Sequence, residues 1–121
     1  MKTILHKAED RGFANHGWLQ ANNSFSFASY YNPEKIQFGA LRVLNDDSIS
    51  PGRGFDTHPH SNMEIVSYVV DGELTHQDSM NNKNTLGRYG VQYMSAGSGV
   101  YHSEFNNSDK PLRIYQMWII P

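Results

Sequence analysis

The stretch 64–77, EIVSYVVDGELTHQ, decides the fold class. It holds two short runs rich in Val, Ile, Tyr and Thr on either side of Asp71-Gly72. The dipeptide is the strongest hairpin signal in the chain, because a type I′ turn needs two residues that tolerate positive φ. Working outward, similar runs occur at 4–7, 25–30 and 38–44 on one side and at 92–94, 99–105 and 112–120 on the other. Clusters of Gly, Asn, Asp and Pro punctuate them. Asn81-Asn82-Lys83-Asn84 and Asn106-Asn107-Ser108-Asp109 read as longer turns, Asn45-Asp46-Asp47 as a solvated turn, and 31–35 as a single helical turn. No window of a dozen residues spaces its apolar side chains as a helix would. The fold class is therefore all-β, a sandwich or a barrel.

The 121 residues suffice for one domain, and contents of 38% hydrophobic and 12% aromatic residues exclude a disordered polar chain. Ten Lys and Arg against twelve Asp and Glu leave a charge of −2 without a basic block, which argues against direct nucleic-acid binding. The absence of Cys removes disulfides, thiolate metal sites and thiol nucleophiles, so any metal must be held by His and carboxylate. No apolar run approaches the ~18 residues of a membrane span and the start lacks a signal-like apolar core, so the expectation is a cytoplasmic protein without a membrane partner. In 112–120 both parities are apolar, and a strand of that kind wants cover on both faces. A partner protein, a homodimer through this C-terminal strand, or further chain would supply it.

Two strings carry the chemistry: 51–60, PGRGFDTHPH, and 96–104, AGSGVYHSE. Side chains two apart on a strand share a face, so His58 converges with His60, and His102 with Glu104. The glycines ahead of each pair permit tight turns and close approach. If the two strands are neighbours, three imidazoles and one carboxylate form an N3O set for a divalent transition metal such as Fe, Ni, Cu, Mn or Zn. A six-coordinate ion would keep two positions open. Glu64, four residues beyond His60, shares that parity if the strand stays regular. It then reads as a rival ligand, an inward polar group, an acceptor behind an imidazole, or an exposed acid at a strand start. His76 shares parity with Leu74 and reads as a satisfied core or rim histidine. Asn15-His16-Gly17-Trp18 reads as a strap against the barrel. Phe25, Phe27, Phe38 and 41–44 read as core, with some members lining a pocket above the metal.

These residues resemble a known family. Gly54-Phe-Asp-Thr-His58-Pro-His60-Ser-Asn-Met-Glu64 followed by Gly72 is similar to the first cupin motif, and Gly99-Val-Tyr-His102-Ser-Glu-Phe-Asn106 to the second. Asn15-His-Gly-Trp18, Phe25-Ser-Phe27, His76-Gln-Asp-Ser79 and Ser95-Ala-Gly-Ser-Gly-Val-Tyr-His-Ser-Glu104 resemble the N-terminal domain of pirins, bacterial pirin-like proteins in particular. The resemblance implies that 1–121 is a single cupin domain, a jelly-roll barrel, matching one half of a two-barrel protein. It implies His58, His60, His102 and Glu104 as the metal ligands, with Glu64 behind them, and Fe(II) as the ion, with Ni, Cu, Co, Mn and Zn as alternatives. The activity it implies is quercetin 2,3-dioxygenase, in which a flavonol-like substrate reacts with O2 and Glu104 accepts the substrate hydroxyl proton. The alternative it implies is a metal-dependent module that binds regulatory proteins without catalysis.

Overall fold

A computed structural model describes residues 2–97 and 99–121, with the side chains of His58 and Val100 outside the description. Among the described residues, ten strands form two antiparallel sheets. The large sheet holds β1 (Gly12–Asn15), β2 (Leu19–Asn23), β3 (Leu41–Ile49), β10 (Leu112–Ile119), β5 (Glu64–Asp71) and β8 (Val91–Ser95), in that spatial order. The small sheet holds β4 (Gly54–His60), β9 (Val100–Phe105), β6 (Leu74–Asp78) and β7 (Lys83–Leu86), again in spatial order. The pairing is nested: β3 with β10, β4 with β9, β5 with β8 and β6 with β7. A long hairpin has been wrapped over itself, which is how a jelly roll closes.

The hairpin predicted at Asp71-Gly72 is a corner instead. β5 pairs with β10 and β8, whereas β6 pairs with β9 and β7, so the chain leaves one sheet and enters the other at Gly72. Gly72 has φ +92°, and a Cβ there would lie 2.6 Å from the Pro111 carbonyl oxygen. The glycine is required, but by a passage between sheets rather than by a two-residue turn.

Other strand expectations are corrected as well. Residues 4–7 form no strand, and Ile4 and Leu5 are exposed. Segment 25–30 contributes only the isolated bridge Phe27–Tyr30, and Phe38 bridges Leu41 with its side chain in solvent. Lys83 and Asn84 belong to β7; the turn before them is closed by the Asp78 carboxylate, which accepts from the Met80 and Asn82 backbone N–H groups. Asn45-Asp46-Asp47 is not a turn but the middle of β3, where alternation buries Asn45 and Asp47 and turns Asp46 outward.

The apolar core lies between the sheets: Leu19, Ile49, Val69, Leu112 and Ile114 from the large sheet meet Leu74 from the small one. β10 is central in its sheet, with β3 on one edge and β5 on the other. Its inward row is Leu112, Ile114, Gln116 and Trp118. The outward row is Arg113, Tyr115, Met117 and Ile119: Tyr115 stacks on Tyr68, and Ile119 is exposed, as is Ile120 just beyond the strand. Among the described residues, no helix is long and apolar enough to cross a membrane.

Candidate metal centre

The local geometry begins with a bulge in β4. Phe55 pairs with Glu104 and His58 with His102, so two residues of β4, Asp56 and Thr57, stand against one of β9, Ser103. The extra residue resets the alternation and brings His60 into phase with Phe55, both of which line one cavity. The backbone of His58 stands opposite His102; its side chain, predicted as a ligand, lies outside the described residues. β9 turns His102 and Glu104 inward, each 2% exposed.

The predicted pairing of the two strings is therefore present at the level of strands. The His60 and His102 rings have centroids 4.6 Å apart, and His102 Nδ1 lies 3.6 Å from Glu104 Oε1. Among the described residues, no three of His, Asp and Glu form a complete metal-holding group. The donor chemistry nevertheless suits a cation. Burial pushes the Glu104 carboxyl up to about 7, the Asp47 charge adds to the rise, and the groups that oppose it are the Gln116 amide and the Ser67 hydroxyl, both neutral. A buried carboxylate with only neutral donors gains most from a nearby positive ion.

Residues that the sequence reading left out hold this arrangement. Gln116 Nε2 donates to Glu104 Oε2 at 2.7 Å and to Ser67 Oγ at 3.4 Å, while Gln116 Oε1 accepts from Trp118 Nε1 at 3.4 Å. Asn23 Nδ2 donates to Asn45 Oδ1 at 2.9 Å, and Asn23, Asn45, Gln116 and Ser67 are neighbours in register across β2, β3, β10 and β5. A polar inward residue in the apolar run 112–120 was a visible signal for Gln116. Asp47 gave none, because its neighbours carry turn chemistry. His76 is buried as expected, with Nε2 3.1 Å from His102 Nδ1, but its Nδ1 has no partner among the described residues. Burial lowers its pKa against the pull of Asp78.

Glu64 does not share the histidines' face. Asn62, at φ +52°, interrupts the strand, and Glu64 starts β5 on the outer side of the large sheet. There it accepts hydrogen bonds from the Tyr93 hydroxyl and, at 2.8 Å, from Ser95 Oγ, both of which lower its pKa. It is a half-buried acid at a strand start on the outer face, not a ligand or an acceptor behind one. Asn15-His16-Gly17-Trp18 is the tip of the β1–β2 hairpin rather than a strap; Trp18 packs perpendicular to Phe55 with Arg53 over its ring, and His16 lines the outer mouth.

A cavity of about 210 Å³ opens between the sheets, walled by Phe27, Phe55 and Trp118 and reached by His60, Glu104 and Asp47. The Trp118 ring stands perpendicular to those of His60 and Phe27, with centroids 4.7 and 5.4 Å apart. Leu19, Ala21, Phe27 and Phe55 also line an outer space of about 400 Å³, so the inner cavity has a vestibule.

Comparison with known proteins agrees with this architecture. The quercetin 2,3-dioxygenase of Escherichia coli is 54% identical over 118 residues, covering 97% of this chain and 51% of its own. The structure of the bacterial pirin YhhW of Escherichia coli in complex with nickel(II) superposes with TM-score 0.93 at 53% identity, over 95% of this chain and 50% of the other. This chain thus spans about half the length of the relatives it matches. The cupin domain of Schizosaccharomyces pombe Cnp3, only 11% identical, superposes with TM-score 0.70 over 99% of this chain and 76% of its own, which shows the cupin fold alone. With the Pirin family model matched over residues 5–119, the chain belongs to the pirin family.

Proposed function

We propose that the chain carries a metal-dependent dioxygenase centre acting on flavonol-like aromatic substrates with O2. In this reading His58, His60, His102 and Glu104 hold one divalent transition metal, Fe(II) in first place, with Ni, Cu, Co, Mn and Zn as alternatives. Residues 1–121 stand as one cupin domain corresponding to the N-terminal half of a two-barrel pirin, in a cytoplasmic setting. The observation that carries the reading is a single one: His60 and Glu104 open, beside His102, onto a cavity with three aromatic walls. The nickel(II) complex of the Escherichia coli pirin and the quercetin 2,3-dioxygenase at 54% identity support the same class of ion and substrate.

When bound, the ion supplies Lewis acidity toward a substrate hydroxyl and a route for oxygen. The chain's own residues do the rest. The hydrogen bond between His102 Nδ1 and His76 Nε2 orients the His102 ring beside Glu104. Gln116 holds Glu104 Oε2, which orients the carboxylate whose role is to accept the substrate hydroxyl proton. Phe27, Phe55 and Trp118 receive the rings and keep water out.

Loss of the visible absorbance of quercetin in air, on incubation with metal-reconstituted protein, is the expected result. An unchanged spectrum with every one of these ions, beside an active full-length relative, overturns the enzyme reading. In the double variant His58→Ala/His60→Ala, bound metal is lost while the β signature in circular dichroism stays; stoichiometric metal in that variant refutes the ligand set. The second reading, a non-catalytic module that docks a protein or a second copy through the C-terminal strand, draws on the exposed Ile119 and Ile120 at the end of β10. It gains if quercetin is untouched.

A further inference from the structure

Asp47 has no structural employment that would explain it. It projects inward from β3 at 3% exposure, its Oδ1 is buried with no hydrogen-bond partner among the described residues, and the side chain lines the aromatic-walled cavity. Its neighbours in register are Ala21 on β2 and Ile114 on β10, which offer it neither donor nor charge. Ala21 is small and also lines the cavity, so the space beside the carboxylate is open to a ligand. The adjacent Asp46 shows what a structural acid looks like here, since it receives Arg113 through two hydrogen bonds of 3.0 and 2.8 Å. A buried acceptor left unpaired is costly, and because the Asp47 side chain that carries it lines the cavity, a hydroxyl of the occupant is the donor the site can supply to this carboxylate.

We propose that Asp47 is the specificity-determining anchor of the cavity, accepting a hydrogen bond from a hydroxyl group of a planar aromatic ligand that lies between the sheets against Phe27, Phe55 and Trp118. The aromatic class of the ligand rests on the function proposed above; the demand for a hydroxyl donor rests on Asp47 itself. Glu104 and His60 reach the same cavity from the small sheet and Asp47 reaches it from the large one, so a ligand held at both walls is fixed in orientation. A pocket built to bond a hydroxyl rejects the analogue that lacks it, because its own polar group is then stranded.

The test is a binding titration followed by tryptophan fluorescence, using the 121-residue chain with and without reconstituted metal. The probes are quercetin and its fully O-methylated analogue. Wild-type protein is expected to prefer quercetin by about tenfold, the discrimination of one hydrogen bond to a buried carboxyl group. Asp47→Asn and Asp47→Ala are both expected to shrink that preference to about threefold or less while retaining metal at the wild-type stoichiometry. A wild-type protein that binds neither probe or does not discriminate, a variant that keeps the full preference, or a variant that loses its metal would each overturn the assignment. Oxygen uptake is read in the same samples. Preferential binding without uptake removes the dioxygenase reading and leaves the anchor standing, whereas uptake with unaltered preference in Asp47→Asn removes the anchor alone.

Discussion

Leu19, Ile49 and Leu112 lie side by side on β2, β3 and β10, and four residues away along the same three strands Asn23, Asn45 and Gln116 lie side by side in their turn. Both rows face inward and are buried. The first meets Leu74 and becomes the main apolar core; the second continues to Ser67 and reaches Glu104 on the facing sheet. Strand alternation thus does the same geometric work in both places, and only side-chain chemistry separates a row that holds the barrel together from one that presents a buried carboxylate to a cavity. The polar row is affordable because apolar clusters lie on both sides of it, the second being Ile65, Met94 and Ala96 with Trp118.

The largest effect is expected where the apolar row is broken. Leu112 is fully buried, and Leu112→Ala should cost about 2–5 kcal/mol in urea unfolding through lost burial and the cavity left behind. Metal bound per folded molecule should not change. A loss below about 1 kcal/mol would mean that the row is not the mechanical centre of the fold.

Asp47 gives the next effect, and its sign depends on pH. Burial, reinforced by the charge of Asp46, raises its carboxyl to about 7 from an ordinary 3.8. The folded protein therefore binds more protons than the unfolded chain between those values, so the group's contribution to stability is present at acid pH and is lost as pH rises through about 7. Asp47→Asn should flatten that fall and make the metal-free protein about 2 kcal/mol more stable than wild type at pH 8.5, with no such gain at pH 4. Unfolding curves at the two pH values check it, and an equal gain at both would assign the effect to packing.

Gln116→Leu replaces the amide that joins the polar row to Glu104 with an apolar group of similar size. Stranding the Glu104 carboxylate and the Trp118 N–H should cost about 1–3 kcal/mol in the metal-free protein. Metal affinity should fall as well, because the carboxylate loses its orienting donor. Isothermal titration with nickel(II) reads that second effect, and unchanged affinity would separate Gln116 from the site.

How much of this was legible in the sequence follows from the range of the forces involved. The runs 99–105 and 112–120 are β-rich in their own right and were readable, as was the pairing of the two histidine strings. β1 and β2, with GFAN and LQANN, carry no local β signal; they are strands because Ala21 and Leu19 pack inward from β2 beside β3. In β3, Asn45-Asp46-Asp47 favours a turn locally, and contacts distant in sequence overrule it. Arg113 clamps Asp46 from 67 residues away, and Asn23 meets Asn45 from 22 residues away. Asp71-Gly72 was read correctly as a place where the chain must bend and incorrectly as a hairpin, since local φ preference cannot tell which sheet the next strand will join.

The smallest effect tests the boundary of the polar region. Sequence spacing groups Glu64 with His60, yet the break at Asn62 puts it on the outer face with Tyr93 and Ser95, and hydrogen bonds from those two hydroxyls are what lower its pKa. An acid on the outer face held by two hydroxyls contributes little to folding and nothing to a cavity on the other side of the sheet. Glu64→Gln should therefore leave the nickel(II) affinity, the unfolding midpoint and any quercetin consumption at their wild-type values. The pKa of Tyr93, raised chiefly by its bond to Glu64, should move back toward its ordinary value in an ultraviolet pH titration. A drop in metal affinity in this variant would return Glu64 to the inner face and contradict the chain path between β4 and β5, on which the separation of the two sheets depends.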